Sequence, residues 1–164
     1  MRKNIVLIGM PGCGKSEIGA GLAKRLGMEF VDADAYIEEH WGRIPELFKL
    51  GEAHFRDIES RAVAAVSLKR NCVIATGGGV VLREQNMQAL KRNGIVVFID
   101  RPLSRLLDVV DTSYRPLLAE GRHKLAELYE QRLPLYRKYA DRIVDNSGTL
   151  EDAVAAAVSA TKEE

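Results

Sequence analysis

The segment 9-GMPGCGKS-16 constrains this chain more than any other, because it follows the apolar run 5-IVLI-8 directly and opens the amphipathic stretch 16-SEIGAGLAKRLG-27. It matches G-x-x-x-x-G-K-[ST] in the strand, turn and helix setting that its mechanism needs. Backbone N–H groups of residues 12 to 16 are expected to ring a β-phosphate, with a helix N-terminus behind them. That makes Gly12, Cys13, Gly14, Lys15, Ser16 and Glu17 the candidate nucleotide contacts. Lys15 would reach the β- and γ-phosphates, and the Ser16 hydroxyl would bind Mg²⁺. A glycine turn that only reverses the chain is the alternative, and the flanking elements argue against it. The loop points to a nucleoside triphosphate, which by itself does not make a kinase.

The rest of the chain alternates short apolar runs with helical patterns. Strand candidates are 4-NIVLI-8, 29-EFVD-32, 71-NCVIA-75, 95-IVVFI-99 and 142-RIVD-145, as short and apolar as strands buried in a parallel sheet tend to be. Between them, Ile18, Leu22, Ala23 and Leu26 share one helical face, with Gly27 as a stop, and Phe55, Ile58, Ala62 and Val66 share another in 52-EAHFRDIESRAVAAVSL-68. Thr149 and Asp152 have capping-box spacing at the head of a last helix. The alternation is a βαβ pattern, hence an α/β fold, a three-layer α/β/α sandwich on a parallel sheet. With 164 residues, 46% hydrophobic and 29% charged, the chain reads as a single domain over 1–164. The polar, proline-containing 111-DTSYRPLLAEGRH-123 reads as a mobile loop.

Charge and cysteine content remove several functions. Twenty-four basic and 23 acidic residues leave a formal charge of +1, without the basic excess that nucleic-acid binding requires. No apolar run approaches the ~20 residues that span a bilayer, and the N-terminus lacks a signal-peptide layout. Two distant thiols, Cys13 and Cys72, make no secreted-type framework. A cytoplasmic protein, acting on neither nucleic acid nor membrane, is the expectation.

Further candidates lie beyond the loop. In 30-FVDADAYIEE-39, Asp32 ends a strand and could join a magnesium shell, because hard cations take oxygen ligands. Asp34 follows at a helix start, where an aspartate often only caps. Asp100, closing 96-VVFID-100, is a rival metal ligand, weakened by the Arg101–Pro102 that follows. Arg56 has Glu59 three residues on, on the same helical face. Such a neighbour can orient a guanidinium toward a carboxylate, although a surface ion pair would look the same. The three glycines of 76-TGGG-79 make sense where something approaches the main chain closely. Arg115 lies in 114-YRPLL-118, and Arg132 in 131-QRLPLYRK-138, just before Pro134, which is expected to interrupt or restart a helix.

As a set, GMPGCGKS at 9–16, DAD at 32–34, LGEAHFRDIE at 50–59, TGGG at 76–79, RPLL at 115–118 and RLPLY at 132–136 resemble the shikimate kinase family, over nearly the whole chain. The resemblance implies a P-loop, nucleoside monophosphate kinase-like fold with five parallel strands in 2-3-1-4-5 order. It also implies a substrate-binding region near 33–61 and a lid near 111–123. The implied reaction moves the γ-phosphate of ATP to the 3-hydroxyl of shikimate, with Mg²⁺, in aromatic amino-acid biosynthesis by way of chorismate. Carried over by motif, Asp34, Arg56, Gly77, Gly78, Gly79 and Arg132 would hold shikimate, with Glu59 orienting Arg56. Lys15 and Arg115 would balance charge on the transferring group, Arg115 as a finger brought in when the lid closes. Ser16 and Asp32 would serve the metal. An aspartate of ordinary pKa, near ~3.9, is a weak base, so Asp34 is expected to orient the hydroxyl first and take its proton late. The enzyme is expected to be a monomer.

Two departures stand out from the family pattern. Where many relatives carry a basic residue near the adenine, this chain has Asp108, leaving that contact missing or taken by Arg105. The loop 146-NSGT-149 lacks the arginines that some relatives place there, so Asn146 to Gly148 are weak candidates. Cys13, near Lys15, is either a reactive thiol or simply a small residue that fits, the preferred reading. His40, His54 and His123 show no metal-site spacing. The alternatives are a gluconate-type kinase, a nucleoside monophosphate kinase, which would need more lid arginines than Arg115 and Arg122, and a non-catalytic nucleotide-binding regulator.

Overall fold

A computed structural model of the chain describes residues 3–108 and 118–162. Five strands, β1 (Asn4–Ile8), β2 (Glu29–Asp32), β3 (Cys72–Ala75), β4 (Gly94–Asp100) and β5 (Arg142–Asp145), form one sheet in the order β2-β3-β1-β4-β5. Every pairing is parallel. Parallel strands need crossovers, and these are helices: α1 (Lys15–Leu26), α2 (Ala33–His40), α3 (Ile44–Lys49), α4 (Glu52–Ser67), α5 (Glu84–Arg92), α6 (Leu103–Asp108) and α7 (Leu118–Tyr139), with α8 (Leu150–Ala160) after the last strand. Helices cover both faces. The crossover through α1 moves along the sheet in the opposite direction to those through α4 and α5, so right-handed connections put them on opposite faces. The packing of α1 on α8 and of α4 on α5 fits that division.

The strands differ by position. Central β1 and β3 are buried throughout, whereas edge strands β2 and β5 expose several residues. Asn4, fully buried at the start of β1, is satisfied by donating to the Lys69 carbonyl at 2.8 Å and accepting from the Cys72 amide at 3.0 Å. A second, smaller apolar cluster of Ile37, Leu47, Phe55, Ile58 and Ala62 lies apart from the main core and binds α2, α3 and α4 to one another.

The expected elements are present with small shifts at their ends, and Gly27 stops α1 in a left-handed conformation. The Thr149–Asp152 capping box is formed in both directions. Two expectations fail. Pro134 neither interrupts nor restarts a helix but sits inside the continuous α7. Its missing N–H removes only one rung, and neighbours such as Leu125 and Tyr136 are buried in the core cluster that holds the helix. The segment 111–123, read as a loop, is helical from Leu118 onward, because Leu125, Leu128 and Tyr129 carry the apolar stripe of α7 back to the core. Residues 111–117 lie outside the described residues.

Candidate active site

All five strands point their C-terminal ends at one mouth, where ligands of open α/β sheets bind. The turn from β1 into α1 occupies its centre. Gly14 adopts φ 94° at the head of α1, a left-handed conformation that favours glycine. Behind it, the first-turn amides of α1 have no partner within the helix. The Cys13 amide instead donates to the Met10 carbonyl at 3.1 Å. Lys15 folds back over the loop, its Nζ donating to the Gly9 and Met10 carbonyls at 2.7 and 3.0 Å and lying 3.6 Å from Cys13 Sγ. The thiol itself is fully buried, which favours the small-residue reading of Cys13 over the reactive one.

A cavity of about 420 Å³ opens beside the loop, lined by Lys15, Ser16, Asp32, Asp34, Gly77 and Gly78 among others. Ser16 Oγ donates to Asp32 Oδ2 at 2.7 Å, so a hydroxyl and a carboxylate from different elements meet as two hard oxygen donors. Among the described residues no group of three or more His, Cys, Asp or Glu side chains could hold a metal alone. Magnesium bound with a nucleotide does not need such a cage, since phosphate oxygens and water fill most positions. Asp32 also caps α2, its Oδ1 accepting from the Asp34 and Ala35 amides. The cap is therefore Asp32, which frees the Asp34 side chain. Burial, then Asp32 and Glu59, raise the Asp34 carboxyl to about 6, against a lowering by Lys15.

Opposite Asp34, α4 presents Arg56, only 12% exposed, which donates to Glu59 Oε1 at 2.9 Å; Glu59 itself is 4% exposed. This is a buried pair, not the surface pair that spacing alone allowed. Arg56 also stacks over Phe55 and Phe48, and its buried Nε makes no hydrogen bond among the described residues.

The three glycines after β3 join these groups. A Cβ on Gly77 would lie 3.0 Å from Glu59 Oε2 and 3.1 Å from Asp34 Oδ1; one on Gly78 would lie 2.7 Å from Pro11 and 3.3 Å from an Arg132 nitrogen; one on Gly79 would collide with the Arg56 guanidinium. A side chain at Gly78 would run into the Pro11 ring, and one at Gly77 or Gly79 would displace the Glu59, Asp34 or Arg56 groups from their positions. Asp34, Arg56, Glu59 and Arg132 therefore converge from three helices on one glycine turn beside the phosphate-type loop. Arg115 lies outside the described residues.

Three contributors take roles that the sequence did not give them, Asn146 having been only a weak candidate. Asn146, buried after β5, donates through Nδ2 to the Cys13 carbonyl at 2.8 Å, tying this distant loop to the turn after β1. Across Gly14, a pocket of about 210 Å³ is lined by Ile18, Arg101, Asn146 and Leu150. The basic group there is Arg101; Arg105 is not among its lining residues. Tyr136 lies under the glycine turn, and its place four residues after Arg132 on α7 was the available signal. Asp100, the rival metal ligand, does not line this cavity and faces Tyr129 and Arg137 of α7.

Comparison with known proteins agrees with this geometry. The sequence model for "SKI: Shikimate kinase" matches residues 11–162. A shikimate kinase of Clostridium botulinum (strain Alaska E43 / Type E3) is 47% identical over 155 residues, covering 94% of each chain. One of Clostridium beijerinckii is 48% identical, covering 94% of this chain and 92% of its own. A solved structure of shikimate kinase from Acinetobacter baumannii in complex with shikimate superposes with a TM-score of 0.87 at 34% identity, covering 96% of this chain and 91% of that one. A chain that combines a β1–α1 phosphate-type loop with two arginines and a raised aspartate around a glycine turn, and that matches these proteins over nearly its full length, belongs to the shikimate kinase family.

Proposed function

We propose that this chain transfers the γ-phosphate of ATP to the 3-hydroxyl of shikimate, as a cytoplasmic monomer. One observation carries the reading: two guanidinium groups and a carboxylate from separate helices meet at Gly77–Gly79, next to Lys15 and Ser16. Shikimate carries one carboxylate and several hydroxyls, and this set is its complement. Arg56 and Arg132 would grip the acid, as guanidinium forks do. Asp34 and the glycine edges would take the hydroxyls.

A nucleotide in the β1–α1 turn would draw Lys15 off the Gly9 and Met10 carbonyls toward the β- and γ-phosphates. Ser16 and Asp32 would hold Mg²⁺, which when bound neutralises charge on the β- and γ-phosphate oxygens. Arg115 would add charge to the transferring group from the 111–123 segment. Asp34 would align the acceptor hydroxyl and receive its proton as the new O–P bond forms. Its raised pKa makes it a better base than an ordinary aspartate, so proton acceptance takes a larger part than the sequence alone suggested.

A coupled ADP-release assay with Mg·ATP tests this by offering shikimate, gluconate and AMP in turn to the wild type and to Arg132→Ala. The expected result is turnover on shikimate alone, lost in the variant mainly through weaker shikimate binding. Turnover on gluconate or AMP but not shikimate would assign another acceptor, and nucleotide binding with no acceptor turnover would indicate a regulator.

A further inference from the structure

The tyrosine of 132-RLPLY-136 has no part in the reaction as described above, yet it occupies a junction of the site. Tyr136 is fully buried and projects from α7 beneath the glycine turn. Its ring stacks on Phe98 of β4, with centroids 5.1 Å apart. Its hydroxyl donates to the Gly78 carbonyl at 2.7 Å and lies 3.9 Å from Met10 Sδ, and Arg132 stands over the same glycine, one of its nitrogens 3.3 Å from where a Cβ on Gly78 would sit.

The glycine turn explains why that contact matters. Three residues without side chains have high backbone freedom, so the turn is held by its carbonyls. Gly77 O accepts from the Val80 amide at 3.2 Å and Gly79 O from the Leu82 amide at 3.0 Å, both local bonds. The Gly78 carbonyl is held instead by Tyr136, 58 positions away. Among the described residues, the amides of Gly77, Gly78 and Gly79 donate to no backbone acceptor, which leaves them free for a ligand. One hydroxyl thus fixes the turn to α7 one helical turn from Arg132, the arginine that stands over Gly78.

The geometry points to Tyr136 as a positioning residue that sets Gly78 and Arg132 at the spacing the acceptor acid requires. This rests on the shikimate-kinase reading above. Tyr136 acts through its two partners and touches no reacting atom. The 3.9 Å contact with Met10 Sδ is to a weak acceptor, so the nucleotide loop should feel its loss little.

Tyr136→Phe keeps the ring and its stack on Phe98 while deleting the hydroxyl. The expected result is a rise of up to about tenfold in KM for shikimate, the scale of one lost hydrogen bond, with KM for ATP within about twofold and kcat within about threefold. In an Arg132→Ala background the same change should add less than about twofold, because the two residues act as a unit. Phe98→Leu, which weakens the stack and spares the hydroxyl, should lower Tm and leave KM for shikimate in place.

A shikimate KM within about twofold of wild type in Tyr136→Phe overturns the inference. So do equal rises in both KM values, full additivity with Arg132→Ala, a shikimate KM in Phe98→Leu raised as much as in Tyr136→Phe, or a Tyr136→Phe protein that does not fold. In each case the residue serves packing, not positioning. If the wild type itself does not phosphorylate shikimate, the functional reading fails and takes the inference with it; an active wild type beside an unaltered variant sinks the inference alone.

Discussion

Eight consecutive residues, Gly9 to Ser16, make the proposed nucleotide half of the site, whereas the proposed acceptor half takes Asp34 from α2, Arg56 and Glu59 from α4, the glycines from the β3 exit and Arg132 from α7. The first half is a local turn whose geometry follows from three glycines and a helix start. The second exists only once four parts of the chain have packed. A change in the contiguous half should therefore strike chemistry and spare the fold. A change in the assembled half should strike both.

Lys15→Ala is the sharpest probe of the contiguous half. Removing a donor aimed at transition-state charge should lower kcat by about 10³-fold, while Tm falls less than in the assembled half, because what is lost is two neutral hydrogen bonds to the Gly9 and Met10 carbonyls and not a buried charge partner. A thermal melt beside steady-state kinetics checks this, and a large loss of Tm would erase the contrast.

Arg56→Ala is the matching probe of the assembled half. It leaves Glu59, 4% exposed, without its charge partner. Breaking such a pair costs about 3 kcal/mol of stability, seen as a Tm fall of roughly 6–12 °C, together with a shikimate KM raised at least tenfold. The double variant Arg56→Ala/Glu59→Gln should recover part of the Tm and none of the affinity. If Arg56→Ala lowers affinity at unchanged Tm, the two halves do not differ in the way described.

Asp34 gives the smallest effect and the most diagnostic one. Its carboxyl stands at about 6 in the fold, against an ordinary value of 3.8. Below pH 3.8 it is protonated whether the chain is folded or not and does not alter stability. Between 3.8 and about 6 the unfolded chain releases the proton that the folded chain holds, so stability falls as pH rises through that window. Above it the penalty is complete. Asp34→Asn should therefore be more stable than wild type at pH 8, with the advantage shrinking as pH falls through the window. The wild type's kcat/KM should drop on the acid side of about pH 6, a limb that the variant lacks. A variant less stable at pH 8 than wild type would show that the carboxylate is not held against its preference.

The same contrast explains what could be read in advance. The β1–α1 loop was legible because all its chemistry lies within one turn of chain. The sheet was legible because five apolar runs alternate with helical stripes. Arg56 was only half legible: its spacing to Glu59 shows in the sequence, but burial, which separates a working pair from a surface one, depends on the second small core beneath α4. Pro134 and residues 118–123 were misjudged because local breakers lost to the apolar stripe of α7. Asn146 was legible only as a weak candidate and Tyr136 had no role, because Cys13 and Gly78, which they hold, lie more than fifty positions away, and for Tyr136 only its spacing from Arg132 was local.

The place of β1 in the middle of the sheet also governs how the protein is made. Asn4 pairs with Gly94, and Ile8 with Phe98, so the strand that carries the phosphate-type loop waits for roughly ninety residues before its second neighbour exists. At cellular rates of synthesis that delay is on the order of ten seconds. Until Cys72–Ala75 is made, this apolar segment has no strand beside it, and from then until β4 only β3 covers one edge. Pairings this distant in sequence are slow to form and prone to aggregation while incomplete. On a translating ribosome, the loop that is easiest to recognise in the sequence thus waits on a strand made well past the middle of the chain, and slowed synthesis between β3 and β4 would lengthen its exposure.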